Sequence, residues 1–223
     1  MTTRKNPARG FLGRLDTRLR ELSTVEPRAL PLLFGYDVTH MQVELLPAES
    51  TTSQHIADQV VLVRARQYAV ILHGEFETQA HTKMRARMTI YRMQISIMTD
   101  SQYRIEQAVF RLTRTRGTPH RVRLAQYGGA LLVDYRVIAL NDFDAAKWLG
   151  CSVPLMNALV PAARGGCDRR VLRQSLCGLH RCFAAADAEI RPFEKAIITL
   201  HWMLAELFSD QPNTWMEIAM TIE

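Results

Sequence analysis

The chain has 223 residues, 48 % of them hydrophobic and 22 % charged, which excludes disordered, collagen-like and disulfide-scaffold classes. Such a length suits one globular domain of about 150 residues with an appendage. Of its 28 basic residues 24 are arginines, set against 22 acidic residues for a net charge of +6, and arginine's planar fork suits phosphate recognition. A GC-rich genome is the competing explanation of that bias.

Near the start, Arg14, Asp16, Arg18 and Arg20 interrupt every apolar run, so no secretory signal is expected. The longest apolar stretches are broken by Arg64, Glu75 and Asp134, well short of the roughly 18 uncharged residues of a membrane helix. Together with four cysteines confined to the last third of the chain, this points to a reducing cytoplasm and no membrane span.

Residues 1–10, with Pro7 and Gly10 among basic residues, are expected to fray. Phe11, Leu12, Leu15, Leu19 and Leu22 recur at helical spacing, and a second helix from about Pro27 to Phe34 is closed by Gly35. His40 to Leu46 is helical or extended, and 47–53 is a polar connector. Gln59–Val63 and Tyr68–Phe76 then read as a β-hairpin. With Arg66 and Gln67 as its turn, paired positions sum to 133, so Asp58 faces Glu75. Strand alternation puts Glu77, His73 and Leu62 on the same face.

Thr82–Met98 is a predicted helix with two apolar stripes, one of Met84, Met88, Tyr91, Ile95 and Met98, the other of Ile90, Met93 and Ile97. Two stripes predict burial on two sides, with Lys83, Arg87 and Gln94 in the gap between them and Arg85 and Arg92 on the solvated back. Strands are expected over Ile105–Thr113 and Leu131–Leu140, separated by a basic loop from Arg114 to Arg123. Asn141–Gly150 begins as a helix capped by Asp142. The rest reads as helical, with breaks at Pro161 and Gly165–Gly166, then helices at about Arg169–Asp187, Pro192–Ser209 and Thr214–Ile222.

Two carboxylates opposed on a hairpin would lie roughly 5 Å apart, which requires a proton on one or a cation between them. A divalent metal meets that need, and hard oxygen ligands select magnesium or manganese. Glu77, further along the same face, could take a proton from a metal-bound water, which outlines a hydrolytic site.

Asp58, the hairpin, Glu75-Phe76-Glu77 and a helix carrying Arg87, Met88 and Tyr91 together resemble the PD-(D/E)XK nucleases. More narrowly they resemble the recombination-promoting nuclease, or transposase-like, branch, with its helix pattern Arg-Met-x-x-Tyr. The segment Asp134–Leu140 followed by Asp142 and Asp144 is similar to that family's late strand, and the likeness covers roughly residues 30–160. At the third motif position the superfamily most often places Lys and this branch often Gln. This chain has Glu77 there, as some restriction enzymes of the superfamily do.

The resemblance implies an α/β, restriction-endonuclease-like core, a mixed central sheet flanked by helices, at 46–148. A helical lead-in at 1–45 and an α-helical C-terminal extension at 149–223 complete the expected organisation. It also implies a metal-dependent DNA endonuclease of little sequence specificity, in recombination or mobile-element biology. Asp58, Glu75 and the Phe76 carbonyl would hold Mg2+ or Mn2+, Glu77 would position or deprotonate the water, and Lys83 or Arg87 would contact phosphate. His73, Tyr91 and Gln94 are supporting candidates.

Between Lys83 and Arg123 ten basic residues face two acidic ones, so Arg114, Arg116 and Arg121 are candidates for tracking a DNA or RNA backbone. In the tail, Met156, Leu159, Leu200, Met203, Leu204 and Leu207 fit packing on the core or on a second protomer, and a homodimer would permit double-strand cleavage. Cys167, Cys177, His180 and Cys182 lack a paired C-x-x-C element and read as buried thiols rather than zinc ligands. The alternative function is a catalytically inactive nucleic-acid-binding or regulatory module of the same fold.

Overall fold

The computed structural model describes residues 7–47, 59–78, 83–113, 120–125, 132–186, 188–211 and 213–221. Two helices, α1 (Pro7–Val25) and α2 (Ala29–Phe34), precede the sheet. The first starts inside the segment expected to fray. Proline is well suited to the first helical position, where its missing N–H is no loss. Gly35 ends α2 at φ 89°, its N–H bonded back to the Leu32 carbonyl, a conformation that a Cβ would strain.

Six strands form one mixed sheet in the order β1-β2-β3-β4-β6-β5, where β1 is Gln42–Leu45, β2 Gln59–Arg64, β3 Ala69–Glu77, β4 Arg104–Arg111, β5 His120–Ala125 and β6 Leu132–Ala139. The β2–β3 hairpin pairs Gln59 with Gly74, Val60 with His73 and Arg64 with Ala69, each summing to 133 as the turn at Arg66-Gln67 predicts. Helix α3 (Met84–Met98) then carries the chain across to β4, parallel to β3, with Glu75 beside Val109 and Glu77 beside Arg111.

Strand β5 overlaps the end of the stretch read as a basic loop and runs two residues beyond it. Its alternation of Val122 and Leu124 with Arg121 and Arg123 is an edge-strand pattern. Charge concealed it, and antiparallel pairing with β6 organises it.

The sheet's two faces carry separate cores. One side packs Val61, Val63, Leu72 and Phe110 against α1, α2 and the C-terminal helices α4 (Pro154–Leu159), α5 (Arg169–Ala184) and α6 (Glu194–Phe208). Met156, Leu159, Leu200, Met203 and Leu204 are buried in it, so those tail residues are spent on the core. The short α7 (Thr214–Ala219) closes this layer through Ile218.

On the other side α3 is the only helix among the described residues. Met84, Met88, Tyr91 and Ile95 of the first stripe are buried against the sheet, but its last residue, Met98, is exposed at the helix end; Ile90, Met93 and Ile97 of the second stripe are exposed, Ile97 by 74 %. The second stripe therefore meets no further layer among the described residues. Arg92 departs from expectation in the opposite direction: it is half-buried and donates to the Ile105 carbonyl at 3.0 Å.

Asn141–Gly150 holds two single 3-10 turns, Leu140–Asp142 and Ala145–Lys147, instead of a helix. Asp142 accepts from the Ala139 N–H and Asp144 from the Ala146 N–H, so two competing caps punctuate the segment before a helix can propagate. Among the described residues no helix is long and apolar enough to cross a membrane. All four cysteines are free thiols.

Candidate active site

The α3 side of β3 presents Ile71, His73, Glu75 and Glu77 in succession, apolar at one end and acidic at the other. Glu75 is fully buried. A carboxylate removed from water costs several kcal/mol unless charge and hydrogen bonds replace the lost hydration. Here Oε1 stands 3.2 Å from His73 Nε2, and Oε2 is paired with the Arg87 guanidinium.

Arg87 sits one turn into α3, on the side facing the sheet. It also donates to the Tyr91 hydroxyl at 3.5 Å, and its guanidinium lies 5.7 Å from the Tyr91 ring centre. The Tyr91 ring in turn meets His73 edge to face, with centres 5.1 Å apart. The i, i+4 spacing of Arg87 and Tyr91 makes this possible, since such residues share a helix face. Behind His73, Gln107 of β4 donates to Nδ1 at 2.9 Å.

Glu77, also buried, is paired with Arg111 Nε at 3.1 Å, the residue beside it on β4. Tyr135 of β6 lies within the electrostatic reach of Arg85, Glu77 and Arg111, and burial pushes its phenol above the ordinary value.

The structure thus brings together Glu75, His73, Arg87 and Tyr91, with Glu77 two residues along. Phe76 points its ring to the opposite core, against Phe110, with ring centres 5.7 Å apart. Lys83 is exposed at the start of α3, and Gln94 is half-buried seven residues beyond Arg87. Asp58, Arg114 and Arg116 lie outside the described residues. Arg121 is not part of this cluster: on β5 it is three strand spacings from β3, roughly 14 Å, and pairs with Asp134 at 3.0 Å.

Gln107 and Arg111 went unnoticed in the sequence. Each is placed by the parallel β3–β4 register, an offset of 34 residues that no turn announces, because the crossover passes through α3.

Among the described residues, no three acidic, histidine or cysteine side chains stand together so as to hold a metal ion. Glu75 and the Phe76 carbonyl supply the hard oxygens that magnesium prefers. The cationic partner of Glu75 here is Arg87, so a divalent ion at this carboxylate would take the position of a guanidinium. No protein-family model, curated protein or solved structure matches the chain significantly.

Proposed function

We propose that the chain is a metal-dependent nuclease that hydrolyses DNA phosphodiester bonds with little sequence specificity, as its resemblance to the PD-(D/E)XK nucleases implies. The observation that carries this reading is the fully buried Glu75 carboxylate, held at the end of β3 against Arg87 of α3. This is the carboxylate that the resemblance assigns to the metal. Two further features support it. The antiparallel β1-β2-β3 meander followed by a helical crossover to parallel β4 suits a restriction-endonuclease-like core. The hairpin register, Gln59 with Gly74, is the one on which the pairing of Asp58 with Glu75 rests.

Bound magnesium or manganese would supply Lewis-acid stabilisation of the phosphorane charge and a water of lowered pKa. Asp58, Glu75 and the Phe76 carbonyl are the proposed ligands. Glu77 orients the attacking water and accepts its proton as the new P–O bond forms and the leaving oxygen departs. With a cation held by Glu75, Arg87 would be available to contact the substrate phosphate beside Lys83.

A second reading, an inactive nucleic-acid-binding module, is favoured by one specific observation. Glu75 and Glu77 are already neutralised by Arg87 and Arg111, which balances the buried charge without any metal.

Supercoiled plasmid incubated with the protein and magnesium, then manganese, separates the two. Nicking that chelation abolishes, and that disappears in Asp58→Asn and in folded Glu75→Gln, is the expected result. Salt-sensitive DNA binding without nicking in either metal would overturn the nuclease reading and leave the binding module.

A further inference from the structure

Strands β4 and β6 form a ladder only from Ala108–Arg136 to Arg111–Ala139. Their preceding halves, 104–107 and 132–135, stay paired outward to β3 and β5 but diverge from each other. Over that stretch the sheet is therefore open between its fourth and fifth strands. A cavity of about 230 Å³ fills the split, and four arginines line it: Arg92, Arg104, Arg121 and Arg136.

Two carboxylates share that lining, Glu106 and Asp134. Glu106 is 2.9 Å from Arg104 and 3.6 Å from Arg136, while Asp134 pairs with Arg121. Two positive charges remain over, which match the dianion of inorganic phosphate or a nucleotide's terminal phosphate and exceed the single charge of a backbone phosphodiester. Arg92 reaches in from α3 and donates to the Ile105 carbonyl, an inner-edge group that the missing stretch of ladder leaves for a side chain. Burial there disfavours its charged form, a cost that a bound anion would offset.

We propose that the split between β4 and β6 is a phosphate-binding site that takes one phosphate group, from a nucleic-acid backbone or a free nucleotide, among Arg92, Arg104, Arg121 and Arg136. It is separate from the Glu75 carboxylate and does not depend on hydrolysis there. Arg87 and Arg92 lie five residues apart on α3 and engage different partners, Glu75 and the Ile105 carbonyl.

The test uses the full chain, its Arg104→Gln/Arg121→Gln double variant, and an Arg170→Gln/Arg173→Gln control that removes equal charge from the exposed face of α5. Amide NMR spectra are recorded on addition of inorganic phosphate and, separately, of a short oligothymidylate. Saturable shifts around β4, β6 and Arg92, weakened about tenfold in the first variant and unchanged in the control, are the expected result. A response to both ligands assigns the site to phosphate itself, and a response to the oligonucleotide alone assigns it to a nucleic-acid backbone. The proposal fails if neither ligand binds, or if both double variants lose affinity equally. Because no step is catalytic, a chain that cannot nick plasmid can still pass this test.

Discussion

Gln107 Nε2 donates to His73 Nδ1 at 2.9 Å, and this bond determines which ring nitrogen of His73 carries the proton. The same Nε2 donates to the Met88 carbonyl at 3.1 Å, and a carbonyl only accepts, so the amide presents its NH2 to both. Nδ1 is consequently the acceptor, and the Nε2–H faces Glu75 Oε1. A fully buried strand residue is thus oriented by β4 and α3 before it touches the carboxylate.

Replacing Gln107 by Leu removes both bonds and leaves His73 free to change tautomer. Stability should fall by about 1–3 kcal/mol in urea unfolding, the usual cost of buried acceptors left unmade. The decisive readout is the 15N chemical shifts of the His73 ring, which report the Nε2–H tautomer in the wild type and a mixture in the variant. An unchanged tautomer would mean that Glu75 alone orients the ring.

Arg87→Met strips a buried carboxylate of its cation. Breaking a buried pair costs roughly 3–5 kcal/mol, and the lower end applies because the Arg87 side chain is 21 % exposed. In a double-mutant cycle with Glu75→Gln, the two losses should be far less than additive. Additive losses would show that the pair contributes no coupling and that Arg87 matters through packing alone.

His201, on α6, is fully buried, and desolvation pushes its pKa down to about 3 from 6.5. Trp215 Nε1 donates to its Nδ1, and the other ring nitrogen lies 2.8 Å from Ser175 Oγ, so the ring is held neutral. Above pH 6.5 neither folded nor unfolded chain protonates this residue, and stability is unaffected. Below it the unfolded state takes up the proton first, so stability falls with pH, by about 2 kcal/mol at pH 5. Urea unfolding between pH 7.5 and 5 should show a slope one proton steeper in the wild type than in His201→Phe.

The two apolar stripes of α3 should respond oppositely to substitution. Ile95→Ala, on the buried stripe, is expected to cost about 2–4 kcal/mol, whereas Ile97→Lys, at a 74 % exposed position, should stay within about 0.5 kcal/mol. Thermal unfolding of the two variants checks this, and a large loss for Ile97→Lys would mean that its stripe is covered in solution.

Contacts close in sequence were legible from the residues. The turn at Arg66-Gln67 sets the hairpin register because a two-residue connection leaves little freedom of pairing, and period two then assigns Glu75, Glu77 and His73 to one face. The buried stripe of α3 likewise follows from helical periodicity. Contacts that depend on strand order were not legible. Gln107 meets His73, and Arg111 meets Glu77, through a parallel register spanning 34 residues. In β5 arginines concealed an edge strand, and in α3 an apolar stripe suggested a layer that the described residues do not supply.

The sequence by itself determined local geometry: which residues alternate, where the hairpin turns, and that two carboxylates end one face of β3. Only the tertiary structure decided what those carboxylates touch. Arg87 neutralises Glu75 and Arg111 neutralises Glu77 because the α3 crossover and parallel β4 bring them there. Burial makes such charge pairing obligatory; helical phase already turns Arg87 toward the carboxylates, whereas Arg111 is a partner that no local pattern names. The split between β4 and β6, which gathers four of those arginines, is likewise a property of strand order and twist that no segment encodes alone.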